Sequence, residues 1–340
     1  MISTVPLSSE QPRERIEVID ALRGLAALSV AWFHISHALG LTTPGSLLYL
    51  SGSKGWAGVE VFFVISGFVI PFTLMRNKYR VRNFGRFMLK RFIRLDPPYF
   101  VSIVAVLCLA AAYSPDGKIP FSTPQILLHV GYLNVFSGYH WIDPTYWTLA
   151  VEVQYYILVG LAFPLLINER LFWFVAMPVS VGLAFLLKNH DFVFQYLPLF
   201  MIGVASLHYR RKRIRPTAFV LVCIALAVVT YLLIGRAPAL AGLATGVIIA
   251  TVNSTPRVLV IPGSISYSLY LIHVAATRVV ARIAGPQATV PGQLALTIGS
   301  LFASLAAAWM LYRFVERPSR RLSSRISYEP GRPAQAQAGF

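Results

Sequence analysis

The sequence predicts an all-α fold, a polytopic transmembrane helix bundle of about ten spans with both termini cytoplasmic. Three observations carry this. Of 340 residues, 56% are hydrophobic and only 13% charged, with a mean hydropathy of +0.63. Soluble domains average about 25% charged residues, so a chain this poor in charge cannot clothe itself in a solvated surface. The apolar residues gather into runs that suit a hydrocarbon core about 30 Å thick, where helices satisfy their own backbone. The basic residues gather in alternate connections between those runs, as the positive-inside rule expects.

The runs fall at 20–41, 56–75, 95–113, 146–167, 171–187, 192–208, 217–235, 237–252, 264–284 and 291–314. Residues 1–18 are polar and read as a cytoplasmic N-terminal segment. The first run contains Arg23, His34 and His37, which the apolar core of a cleaved signal peptide does not carry, so it is a retained helix. Residues 19–318 form one transmembrane domain, and 319–340 a basic tail expected to be disordered. With the N-terminus inside, the inner segments hold Arg13, Arg15, the cluster from Arg76 to Arg94, Arg210–Arg215 and the tail arginines. The net charge of +17 therefore reads as topology rather than as nucleic-acid binding.

Within the connections, 76–94 is basic with helical spacing. The segment 114–145 is the longest outer loop, aromatic and Pro-rich, with a composition that suits lining a cavity. The Gly242…Gly246 spacing reads as helix packing. Cys108 and Cys223 each lie inside an apolar run and read as packing residues. No internal repeat is evident.

Ionisable groups inside spans cost about 2.5–3.5 kcal/mol each by insertion scales, so they mark function. Arg23, His34, His37, Glu60, Glu152 and His273 lie in or near spans. Arg23 and His34 are separated by about three helical turns plus 20°, which places both on one face, about 16 Å apart along the axis. His37 shares much of that face. Glu60 and Glu152 share the depth of His34, where a carboxylate can fix an imidazole's tautomer and raise its basicity. The His34–His37 pair has no third ligand at a characteristic spacing, which argues against a metal site. No phosphate loop, dinucleotide fingerprint or G-x-S-x-G is present. Arg86, Lys90, Arg91 and Arg94 fall at helical spacing before Asp96-Pro97-Pro98-Tyr99. Topology and anionic lipid account for such a cluster, and a phosphate-binding wall is the sharper alternative.

These residues together resemble the acyltransferase-3 family of integral membrane acyltransferases, over about residues 17–320. The resemblance rests on Ile19-Asp20-Ala21-Leu22-Arg23-Gly24 with His34 eleven residues after Arg23. It continues through Phe62-Phe63-Val64-Ile65-Ser66-Gly67-Phe68, Arg86…Arg91…Arg94 before Pro98-Tyr99, and Trp147-Thr148-Leu149 with Glu152. Ser266-Tyr267-Ser268-Leu269-Tyr270-Leu271…His273 and Phe314-Val315-Glu316-Arg317-Pro318 complete it. Thr148 stands where the family usually has Ser, and Glu60 where Asp is more typical. Some relatives carry a fused hydrolase-like domain, for which the sequence beyond Pro318 leaves no room.

The resemblance implies an O-acyltransferase of the bacterial inner membrane. It would move an acyl group, commonly acetyl, from cytoplasmic acyl-CoA to a hydroxyl of a surface or exported carbohydrate, without a metal. The bilayer, the donor and the hydroxyl acceptor would be its partners. His34 would act as base or carry the acyl group. Glu152, then Glu60, would orient it, and Arg23 would mark the donor's path. Arg86, Arg91, Arg94 and Tyr99 would hold the donor, and His37, Tyr146, Trp147 and His273 would contact substrate. The rival from another class is a secondary transporter for a sugar or drug-like solute, which buried charges also suit but which often shows repeat symmetry.

Overall fold

The computed structural model describes residues 16–115 and 117–328. Most of the expected N-terminal segment, with Arg13 and Arg15, and the end of the tail, with Arg332, lie outside the described residues. Among the described residues every regular element is helical.

The order is α1 (Glu17–Phe33) with a π-helical turn (His34–Ala38), α2 (Leu47–Gly52), α3 (Gly58–Arg76), α4 (Phe84–Tyr113), α5 (Thr123–Val130) and α6 (Tyr146–Ile167). A broken span follows, made of α7 (Glu169–Leu171), a π turn (Phe172–Ala176) and α8 (Met177–Leu186). Then come α9 (Leu197–Arg210), α10 (Pro216–Ile234), α11 (Arg236–Thr251), α12 (Arg257–Val260) and α13 (Ser266–Ala284). The chain closes with α14 (Val290–Leu311), a π turn (Tyr312–Glu316) and α15 (Arg317–Ser324).

Each of the ten apolar runs becomes a helix, and eight helical stretches are long and apolar enough to cross a membrane. The other two are α9 and α11, of 14 and 16 residues. At 1.5 Å per residue they are about 21 and 24 Å long, short of a core about 30 Å thick. α9 can be short because it meets little but protein: Leu197 through His208 are all buried. It packs against α3, α10 and α11. Gly242 and Gly246 of α11 sit over Leu199 and Ile202 of α9, where a Cβ would overlap their side chains. That is the close helix contact their spacing predicts.

Local chemistry sets the ends. Ser46, Ser122 and Thr289 cap α2, α5 and α14 by accepting from the N–H three residues on, which satisfies one of the donors a helix start leaves open. α4 differs from expectation in one respect. The basic connection and the apolar span are a single 30-residue helix, so Arg86–Arg94 form its first turns. At about 45 Å this helix outruns the hydrocarbon core, which leaves its basic end free of lipid.

The tightest contact is the crossing of α3 and α9 at Gly67 and Gly203. A Cβ at Gly67 would overlap the Phe200 carbonyl, and one at Gly203 the Val64 carbonyl. Both obstacles are backbone and cannot rotate away. Gly67→Ala or Gly203→Ala should therefore destabilise the folded protein by about 1–3 kcal/mol, read as a lower unfolding midpoint in detergent. Gly299→Ala, which has open space around it, should leave the midpoint unchanged.

Candidate active site

α1, α3, α4, α6 and α13 converge on a cavity. One end is walled by Arg23, Arg91 and Arg94, with Glu152 as their counter-charge. Val59, Phe62, Ile65 and Val69 form an apolar side, and Thr148, Tyr267 and Tyr270 add hydroxyl-bearing walls. Glu152 Oε1 accepts from Ser66 Oγ (3.1 Å) and from Tyr156 OH (2.5 Å). The Arg91 guanidinium lies 5.1 Å from the Tyr156 ring and 5.6 Å from that of Phe87, within cation–π range. Arg23 Nε is buried and has no hydrogen-bond partner among the described residues. A buried donor left open in this way is costly. The walls thus carry three guanidiniums against one carboxylate.

His34 and His273 meet beside this cavity. His273 Nε2 lies 3.1 Å from His34 Nδ1, and the ring centroids are 5.0 Å apart. His273 is completely buried. Its Nδ1 is 2.9 Å from the Leu269 carbonyl, and His34 Nδ1 is 3.0 Å from the Val30 carbonyl. A carbonyl only accepts, so His273 carries its proton on Nδ1 and its Nε2 is a lone pair. That lone pair accepts from His34 Nδ1–H, which also reaches Val30. The arrangement leaves His34 Nε2 as an open base. Tyr270 joins the two features: it lines the cavity, and its ring is 6.1 Å from that of His273. His34 opens the π-helical turn that ends α1, an irregularity often found at functional sites.

Several expected residues take other places. His34 is oriented by His273 and not by Glu152, which is engaged with Ser66 and Tyr156. Glu60 is 4% exposed, and its Oε2 has no partner among the described residues; Val59, Phe62 and Phe63 around it line the cavity. Arg91 and Arg94 are cavity walls, but Arg86 is exposed and donates to the Tyr328 carbonyl (3.1 Å). Tyr99, expected at the donor, is fully buried in a separate aromatic cluster and donates to the His129 carbonyl (3.0 Å). Tyr146 is buried there too, its hydroxyl 2.8 Å from Ser102 Oγ. His37 packs on Tyr49 and Phe33, and Trp147 on His190 and Tyr196. His273, expected at substrate, stands behind His34.

Among the described residues, the 114–145 segment contributes none of the cavity walls. It covers the Tyr99 cluster and buries one carboxylate. Asp143 is completely buried, and its Oδ1 accepts from Thr145 N–H (2.9 Å) and Thr145 Oγ1 (2.6 Å). Burial pushes this carboxyl up from its ordinary value, and the Thr145 bonds with the charges of Arg278 and His34 pull it back. The segment is pinned one residue earlier, where Ile142 N–H donates to His129 Nε2 (3.1 Å) while His129 Nδ1 lies 2.7 Å from the Gln125 carbonyl.

Fold and site thus define a polytopic helical membrane protein with an arginine-walled cavity and, beside it, a paired set of histidines. Comparison with known proteins gives the family. The profile described as "Acyltransferase domain" matches residues 16–313, and the chain belongs to this acyltransferase-3 family. It is 30% identical to the O-acetyltransferase OatA of Staphylococcus aureus over 167 residues, 44% of this chain and 25% of that protein. It is 27% identical to the peptidoglycan O-acetyltransferase OatA of Listeria monocytogenes over 159 residues, 43% and 24%. A putative acetyltransferase of Acidianus two-tailed virus is 29% identical over 143 residues, 42% and 39%. The chain spans about a quarter of the length of the OatA proteins it matches. No solved structure matches.

Two outcomes follow. In protein that inserts normally, His34→Ala should lower acyl transfer by about 10²–10⁴-fold, the usual worth of a general base. His273→Ala, which frees the His34 tautomer, should cost less than that but at least about tenfold, both read as initial rates. The second concerns pH. Burial lowers His129 from its ordinary 6.5, so below that value the unfolded chain binds the proton and the folded one does not, and stability falls as pH drops. His129→Gln should flatten the acid side of a plot of unfolding midpoint against pH.

Proposed function

We propose that this chain is a membrane O-acetyltransferase that moves an acetyl group from acetyl-CoA to a hydroxyl of a surface or exported carbohydrate. The observation that carries the reading is the adjacency of an arginine-walled cavity, with the Arg23 donor unmatched, to a histidine pair whose outer nitrogen is a free base. Guanidinium forks match the phosphate oxygens of a coenzyme A. The apolar wall from Val59 to Val69 suits its pantetheine arm. The basic end of the bundle would face the cytoplasm by the positive-inside rule, where acyl-CoA is found.

The chemistry needs one proton acceptor. His34 Nε2 takes the hydroxyl proton as the acceptor oxygen attacks the thioester carbonyl. The tetrahedral intermediate collapses with cleavage of the C–S bond, and the imidazolium returns the proton to the departing thiolate. The products are the O-acetyl ester and free CoA thiol. The pair is suited to this cycle because protonation of His34 at Nε2 leaves its Nδ1–H bond to His273 intact. A thioester is already activated, so a base of near-neutral pKa suffices. The names of the OatA relatives support O-acetylation and, for the Listeria protein, a peptidoglycan acceptor. Their bacterial hosts support a bacterial cytoplasmic membrane.

Reconstituted protein given radiolabelled acetyl-CoA and a muropeptide should transfer label into base-labile ester and release CoA thiol. A transporter would leave acetyl-CoA intact. Arg23→Ala should weaken acetyl-CoA binding by about 10- to 100-fold, the worth of a charge-assisted contact of roughly 1.5–3 kcal/mol, read as Kd in detergent. Unchanged affinity would remove Arg23 from the donor site.

A further inference from the structure

One buried charge has no part in the chemistry above. Asp143 is completely enclosed, and its Oδ2 has no hydrogen-bond partner among the described residues. Burying a carboxylate is costly unless it is hydrogen-bonded and another charge answers it. The segment that carries it is held at three points: by His129 at Ile142, by Thr145 at Oδ1, and by Tyr270, whose hydroxyl donates to the Thr145 carbonyl (3.3 Å). Tyr270 in turn lies against His273, the partner of His34. On the other flank, Ile142 and Tyr146 pack with Leu271 and Ala275 of α13. Arg278, three residues past Ala275, continues that face. The charges of Arg278 and His34 act on the Asp143 carboxyl only after its burial and its Thr145 bonds.

We propose that Asp143 is the positioning carboxylate of the site, which balances the imidazolium formed when His34 takes the acceptor proton. This rests on the acetyl-transfer reading. It answers a need that reading leaves open. His273 contributes a lone pair and no charge, and Glu152 faces the arginines with its Oε1 already bonded twice. In a low-dielectric interior a fixed negative charge stabilises the cation where it develops and needs no reorganisation during the reaction. Because the Asp143 segment joins α5 to α6 and does not wall the cavity, its contribution falls on turnover and not on donor binding.

Asp143→Asn separates charge from shape, since the amide oxygen can still accept from Thr145. Measured with labelled acetyl-CoA and a muropeptide, this variant should lose about 10- to 1,000-fold in kcat, the range for removal of one preorganised electrostatic group, with KM for acetyl-CoA unchanged. Asp143→Glu should recover part of the rate. Thr145→Val, which removes a hydrogen bond to the same carboxylate but no charge, should keep most of it. The proposal is overturned if Asp143→Asn turns over within twofold of wild type, if its loss appears in KM, or if Thr145→Val is as impaired as Asp143→Asn. A wild-type protein that leaves acetyl-CoA intact would count against the donor reading instead. The same variants are then scored by base-released acetate from the envelopes of cells producing each protein, where the donor need not be known. There Asp143→Asn should fall towards His34→Ala, and a full acetate yield would overturn the proposal.

Discussion

A carbonyl oxygen can only accept a hydrogen bond, and the chemistry of this site depends on that constraint. The Leu269 carbonyl holds a proton on His273 Nδ1, which makes His273 Nε2 an acceptor. The acceptor holds a proton on His34 Nδ1, which leaves His34 Nε2 bare. Two backbone carbonyls from two different helices, Val30 on α1 and Leu269 on α13, thus choose the tautomer of a reactive imidazole. Helix carbonyls are among the least mobile groups in a membrane bundle, because the surrounding hydrocarbon offers the backbone no other partner. The base is therefore set by the packing of α1 on α13 and not by a flexible side chain. The close crossing of α3 and α9 at Gly67 and Gly203 fixes a second wall of the cavity in the same manner.

The charges follow a gradient along the bundle. Guanidiniums of α1 and α4 gather in the cavity wall, with Glu152 among them. The histidine pair comes next, and beyond it the buried Asp143 and the exposed Arg278. Among the described residues Arg23 Nε, Glu60 Oε2 and Asp143 Oδ2 are buried without a hydrogen-bond partner, as are polar side-chain atoms of Asn134, Tyr155, His208, Thr255 and Ser300.

The fold class was legible because every spanning segment writes its own signature in hydropathy, and all ten runs became helices. Length was less legible. Composition alone cannot separate a helix bathed in lipid from α9, which is short because protein surrounds it. The Arg23 and His34 register was readable because it lies within one helix. Pairings across helices were not. His273 and Glu152 were both visible as misplaced polar residues, but nothing in one sequence says which of them reaches His34, and the structure gives it His273. Arg86 shares the helical spacing of Arg91 and Arg94, yet it lies near the start of α4, where the chain's own carbonyl at Tyr328 takes it. Asp143 was missed because it sits in a loop, where a carboxylate is normally solvated. Its signals, an aromatic neighbourhood and the proline that follows, were too slight to set it apart.

A structure of the protein with a non-hydrolysable acetyl-CoA analogue tests the central claim most directly. The account places the phosphates against Arg23, Arg91 and Arg94, with the pantetheine arm running past Tyr270. The carbonyl carbon should lie close enough to His34 for one hydroxyl oxygen to fit between them, with reacting atoms about 3–3.5 Å apart. An analogue bound outside the arginine cavity, or seated there with its carbonyl turned away from His34 Nε2, would contradict it.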